Sequence, residues 1–394
     1  MKKIMIKQLF SLLVVFFVFG LNSTKAITNE LKEDANNPAF ELGMWQGVMD
    51  GKPGEGAIFY RLDFQEEGVI EITKQSGGNN VTEIQSWNLI NNKIIIEASI
   101  NSEVHDFKDA EIIINTDNSL KYSKGEQSFN IHKWNMYQTA FHWVLLLLIL
   151  IGLNELFRHY KWPTLAFYII IPFVLIPALN IFGFTDVSYW FKWVKLYSVV
   201  LACIWFTYMR YTNLGTKTYA LFIAAAFLAV NIAEAVIQDF SMGYTPNILN
   251  AIAGILSIIT LTGWRKIYIE KSKKSDMLWP GMTILWIVAY DIWNFVFVYL
   301  NFPGSAANQF LVLLACTIPA LFIKKGSWLQ ARAFTLAAWF MYYFISPTAV
   351  ETHLVPLPRN EELMMAAGVI SILANLILAF VVFGKKLRKK PVLA

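Results

Sequence analysis

The sequence predicts a mainly α, polytopic membrane protein that carries a small antiparallel β domain near its N-terminus. Three observations lead there. Hydrophobic residues make up 56% of the 394 positions and charged residues only 15%, too apolar a balance for a water-soluble chain of this length. Beyond residue 137 come about nine apolar runs, each close to the ~20 residues a helix needs to cross a hydrocarbon core. Between residues 40 and 134, by contrast, apolar and polar residues alternate in short runs broken by turn residues, the two-residue period of half-buried strands.

Lys2, Lys3 and Lys7 followed by the apolar run Leu9 to Leu21 and small residues up to Ala26 predict a signal peptide over 1–26, cleaved after Ala26. An extracytoplasmic β domain is then expected over 27–136. Its runs are 57–64, 69–73, 81–89, 93–98 and 111–114, and Gly-Lys-Pro-Gly, Gln-Glu-Glu-Gly and Ser-Gly-Gly-Asn-Asn supply hairpin turns between them. Seven or eight strands in a meander follow. The opening Glu41-Leu42-Gly43-Met44-Trp45, with Tyr60-Arg61-Leu62-Asp63-Phe64 and the Glu67-Gly68 turn, resembles the lipocalin-like domains of exported bacterial proteins. That resemblance implies a small barrel, either filled by its own side chains or holding one apolar ligand in its mouth. Trp45, Trp87 and Trp134 read as packing residues. His105 and His132 have no acidic or cysteine partner at ligand spacing, so no metal is expected.

The nine runs lie near 138–157, 161–182, 190–209, 218–239, 246–264, 279–301, 308–323, 331–347 and 363–383. With the β domain outside, about seventeen basic residues fall in cytoplasmic loops and the 385–394 tail, Arg332 among them, against three outside: Lys192, Lys195 and Arg359. The positive-inside rule therefore places the chain in the inner (cytoplasmic) membrane with a cytoplasmic C-terminus. The basic excess belongs to these loops and calls for no nucleic acid. Trp162-Pro163 and Trp279-Pro280, 200–203 and 313–316, and 253–258 and 367–372 match at an offset near 115 residues. This pattern predicts a parallel 4+4 repeat, halves 161–268 and 279–384, plus one extra span within a 137–384 transmembrane domain.

Polar residues inside the spans are few, and each has to be accounted for. Asp291 sits halfway through the sixth run with Asn294 one turn on and Tyr290 beside it, while Asn231, Glu234 and Gln238 form one stripe on the fourth. Together they outline a candidate binding site for a small polar or cationic solute, in a transport or channel-like role. The competing reading is that these groups hold neighbouring helices together. Two other roles stay open: a membrane-anchored sensor or assembly scaffold using the β domain, and an integral-membrane enzyme acting on lipid or envelope precursors with Asp291 and Glu234 as acid and base. No phosphate loop, Gly-x-Ser-x-Gly or His-Glu-x-x-His motif is present, and no cofactor is expected. His142 and His159 are about five helical turns apart, too far to share a metal, and haem held by one of them with His353 is not expected because His353 falls in an external loop. The bilayer is the main partner, with self-association left open. Trp-Pro at the span starts and Asp291-Ile292-Trp293-Asn294 give the membrane part a likeness to an uncharacterised family of bacterial multi-pass proteins, which implies no function.

Overall fold

The computed structural model describes residues 40–49, 57–76, 79–97, 102, 104–116, 118–125, 127–185, 187 and 190–388. The expected signal peptide and positions 389–394 of the basic tail lie outside them. Eight strands form a closed antiparallel barrel in simple meander order: β1 (Gly43–Met49), β2 (Ile58–Phe64), β3 (Val69–Ser76), β4 (Asn79–Ile90), β5 (Lys93–Glu97), β6 (Glu111–Thr116), β7 (Ser119–Lys124) and β8 (Gln127–Lys133). Closure comes from β1 on β8, with Trp45 opposite Lys133 and Gln46 opposite His132. The alternation read in the sequence places Leu62, Phe64, Ile70, Ile72, Ile94, Ile96, Ile112 and Ile114 inside. Two aromatic groups fill the interior: Phe40, Trp45, Phe64 and Trp87, and then Tyr60, Phe107, Tyr122 and Phe129. The barrel is thus largely occupied by its own side chains.

Only Trp134 and Asn135 separate β8 from the first helix, α1 (Met136–His159), and the Asn135 side chain caps it by accepting from the amides of Tyr137 (3.0 Å) and Gln138 (3.1 Å). There follow α2 (Lys161–Ile181), α3 (Trp190–Tyr211), α4 (Thr218–Met242), α5 (Thr245–Ile259), α6 (Ile284–Asn301), α7 (Ala306–Ile323), α8 (Trp328–Ile345) and α9 (Glu361–Arg388). Wide π-turns interrupt α2 at Ile171–Leu175 and α7 at Pro319–Ile323, where prolines remove backbone donors. A two-stranded ladder (Tyr268–Ile269 with Met277–Leu278) sits between α5 and α6, and a short helix (Pro347–Thr352) between α8 and α9.

Among the described residues six helices, α1, α2, α4, α6, α7 and α9, are long and apolar enough to cross a membrane. The other three fall short for physical reasons. The α3 helix carries Lys192, Lys195 and Arg210, α5 has 15 residues, and α8 contains Gln330 and Arg332. The sixth helix also begins later than expected, at Ile284 behind the Thr283 cap. Trp279 instead lies in the preceding loop, its backbone amide donating to the Gly326 carbonyl (2.8 Å) and its indole to that of Thr262 (3.2 Å). Within the expected repeat, α2 packs on α3 as α6 does on α7, yet α4 lies along α5 while α8 does not lie along α9.

Polar and small side chains tie the helices together. The Asp239 carboxylate accepts from Asn247 (2.9 Å), Asn250 (2.7 Å) and Asn301 (2.6 Å), and Ser371 donates to the Asn250 side chain (2.6 Å), which joins α4, α5, α6 and α9. Gly368 lets α9 approach α5 so closely that an added Cβ would meet the Pro246 carbonyl at 2.8 Å. At the end away from the barrel, Arg158 forks onto Asp276 (2.9 and 3.1 Å) and also holds Glu155 (2.7 Å), while Gln330 donates to Asp276 (3.1 Å). Burial alone would raise the Asp276 carboxyl, but the Arg158 hydrogen bonds outweigh it and hold the group below the usual carboxylate range.

The barrel docks on the opposite end of the bundle. The Gln46 amide, fully buried, donates to the carbonyls of Thr352 and Leu354 (both 3.1 Å) in the loop between α8 and α9, and the Trp134 indole joins it on Leu354 (3.0 Å). Asn80 reaches the Arg359 carbonyl (2.9 Å). Phe59, although it points out of the barrel, is buried because its ring lies over Gly304, where a side chain would be met at 2.9 Å.

Candidate functional site

A cavity of about 340 Å³ lies among α3, α4, α6 and α8. It sits at the lower end of the ~300–1,000 Å³ typical of small-molecule sites. Its wall is mostly aliphatic and aromatic, with Ala202, Phe206, Ala226, Phe227, Leu228 and Leu336 among its residues, and five polar residues interrupt it: Ser198, Asn231, Glu234, Tyr290 and Arg332. The 3.6-residue period of α4 brings Ile223, Phe227, Asn231 and Glu234 to one face, which is why the stripe legible in the sequence becomes part of this wall.

Three of the residues singled out from sequence, Asn231, Glu234 and Tyr290, therefore meet here. Asn294 stands one layer behind, its side-chain oxygen accepting from Arg332 Nη2 (3.0 Å) and from Gln309. Asp291 and Gln238 are not on this wall. Asp291 turns toward α7, accepting from the Thr317 hydroxyl (2.8 Å), which in turn takes the Trp328 indole N–H (3.0 Å). Gln238 is partly buried further along α4, its carbonyl accepting from the Ser241 hydroxyl (2.7 Å).

Two cations change the electrostatics expected from sequence. Lys195, counted as an external charge, lies within α3 and forms an ion pair with Glu234. Arg332, counted as a loop charge, lies four residues inside α8 and is 96% buried, with its guanidinium carbon 5.9 Å from the Tyr290 ring centre. Among the described residues it makes no ion pair, and its Nε and Nη1 have no hydrogen-bond partner. Arg359 was also counted as an external charge. It is buried, donating to the carbonyls of Tyr299 (2.6 Å) and Leu300 (3.0 Å), and burial lowers its guanidinium to about 10. A signal for Arg332 did exist: six residues separate it from Lys325, and Ser327 is a natural helix start, so a helical reading from there would have placed it inside the span.

A second cluster forms where barrel and bundle meet. The rings of His142 and His353 stand 4.4 Å apart, His142 Nε2 is 2.8 Å from the Tyr342 hydroxyl, and His353 Nδ1 is 3.3 Å from the Thr139 hydroxyl. His132 on β8 is buried with its Nε2 unpartnered. Burial, reinforced by the charge of His353, pushes His132 down to about 4, and burial brings His353 to about 4 as well. Among the described residues no group of three or more His, Cys, Asp or Glu is arranged to hold a metal ion. Both cysteines, Cys203 and Cys316, are buried and free.

Residues 132–392 match a family described as of unknown function, DUF5692. No curated protein and no solved structure matches the chain. The matched region begins at the end of β8 and takes in α1 to α9, two thirds of the sequence, and leaves nearly all of the barrel outside. The chain belongs to the DUF5692 family of unknown function.

Proposed function

We propose that this is a membrane protein of nine spans, with the barrel extracytoplasmic and the C-terminus cytoplasmic at the inner membrane, whose bundle binds a small molecule in the α3/α4/α6/α8 cavity as part of transport or channel-like handling. One observation carries the reading. A buried arginine with unsatisfied donors borders a 340 Å³ cavity, and charges kept inside apolar bundles at such cost characteristically mark substrate or ion sites. The six long apolar helices support a multi-span bundle, the remaining three spans being part of the proposal, and the loop charges support the orientation. Thermal unfolding of the purified full-length protein against a panel of polar, cationic and anionic solutes tests the site, with Ala226→Phe as a variant that fills the cavity. A solute that stabilises the wild type and not the filled variant is the expected result. If every solute acts equally on both proteins, the cavity is not a binding site.

The barrel's grip on the α8–α9 loop favours a second reading, a sensor or scaffold in which the barrel engages a partner. Crosslinking from the barrel surface in native membranes addresses it. A discrete partner that persists in Ala226→Phe would move the function to the barrel.

A further inference from the structure

On α4 the cavity's lining residues run from Ile223 to Glu234, ~16 Å along the helix, a length that one extended alkyl chain can follow. Leu201 and Val230, which line it near the middle of α3 and α4, are also 50% and 57% exposed on the outer face of the bundle, where a bilayer would place acyl chains. A ligand in the lipid phase can therefore reach the cavity between these two helices without passing through water.

The charges define the other half of the ligand. Glu234 is already neutralised by Lys195, and Asp291 is off the wall, so no carboxylate is left to receive a cation. Arg332 is the opposite case, a fixed cation with two nitrogens unpartnered and an aromatic neighbour, in apolar surroundings where a charge-assisted hydrogen bond counts for most. We propose that the cavity takes a single-chain amphiphile with an anionic head: a carboxylate or phosphate on Arg332, its alkyl chain lying along α4 past Leu228 and Ala202, entering from the bilayer between α3 and α4. This inference rests on the cavity being a binding site and adds the class of molecule bound.

The test uses full-length protein in a neutral maltoside detergent and, far below their micellar concentrations, dodecanoate and dodecyl phosphate as anionic probes. Dodecanol and dodecyltrimethylammonium serve as neutral and cationic counterparts, and acetate and inorganic phosphate as chainless anions. Calorimetry and thermal unfolding should show binding by the two alkyl anions alone. Affinity should fall about tenfold or more in Arg332→Gln, recover in part in Arg332→Lys, and vanish in Ala226→Phe. Equal binding of dodecanol would show that Arg332 recognises nothing, and equal binding of chainless phosphate would show a soluble-anion site; either overturns the inference. Binding of the cationic probe, lost in Glu234→Gln and in Ala226→Phe, would leave the cavity a site and refute the anionic assignment. If no probe and no solute binds, the cavity reading falls with it.

Discussion

Acidification should loosen the barrel from the bundle, and the junction histidines set the size of the effect. His132 and His353 sit near 4 in the folded protein, against 6.5 for an exposed imidazole. Because the folded values are the lower ones, the unfolded chain binds more protons below pH 6.5, so stability is complete above that pH and is lost as pH falls toward 4. For His132, which is almost fully buried, the loss at pH 5 is about 2 kcal/mol. His353 keeps more exposure and adds less. Protonation would place a second N–H donor on His132 Nε2, where no acceptor stands, and a charge beside His353, whose ring already faces His142. Thermal unfolding of the full-length protein at pH 7.5, 6 and 5, with hydrogen exchange across the α8–α9 loop, measures this. His132→Phe should flatten the slope between pH 7 and 5 and preserve protection of the loop at pH 5. If wild type and His132→Phe lose stability in parallel as pH falls, the junction does not titrate and the reasoning is wrong.

Three further outcomes follow from the packing. Asp276→Asn strips the buried Arg158 of a forked partner and should cost about 3 kcal/mol, seen as a lower unfolding temperature; a change below 1 kcal/mol would show the network to be dispensable. Gly368→Ala should cost about 1–3 kcal/mol, because the new Cβ meets the Pro246 backbone and not a side chain that can swing away; an unchanged unfolding temperature would mean α9 shifts freely on α5. Asp239→Asn turns one acceptor of three amides into a donor and should cost on the order of 1 kcal/mol, the scale of interhelical hydrogen bonds in bilayers, with thermal unfolding again the check.

The barrel was legible because its strands obey a strict two-residue period around Ile70, Ile72, Ile94 and Ile96, and the helices because apolar length is a strong signal. The fate of individual charges was not. Arg158, Arg210, Arg332 and Arg359 each stand near a helix end, where sequence can place a charge on a helix, as Ser327 does for Arg332, but cannot separate a solvated charge from one that folds back onto a carbonyl, an amide or a carboxylate elsewhere in the chain. Those partners lie 38 to 118 residues away, as with Arg332 on Asn294 and Arg158 on Asp276. Asp291 shows the same limit from the acidic side. Its helix and depth were readable, but Tyr290 faces the cavity and Asp291 faces Thr317, a distinction of 100° around one helix that only the neighbouring helices decide. The histidine cluster was only partly legible: His142 and His353 could be considered together from sequence, but His132, from β8, is joined to α1 and the α8–α9 loop by no local spacing.

The clasp of Gln46 on Thr352 and Leu354 spans more than 300 residues of chain. During synthesis the barrel emerges and can close on its own long before the α8–α9 loop exists, since domains fold in order as the chain is made. Gln46 and Trp134 therefore have no partners on the bundle until the chain has reached Leu354, so this clasp cannot close before α8 has been made. A truncated or misinserted chain keeps the clasp open, which gives the cell's proteases and chaperones a direct mark of an unfinished molecule.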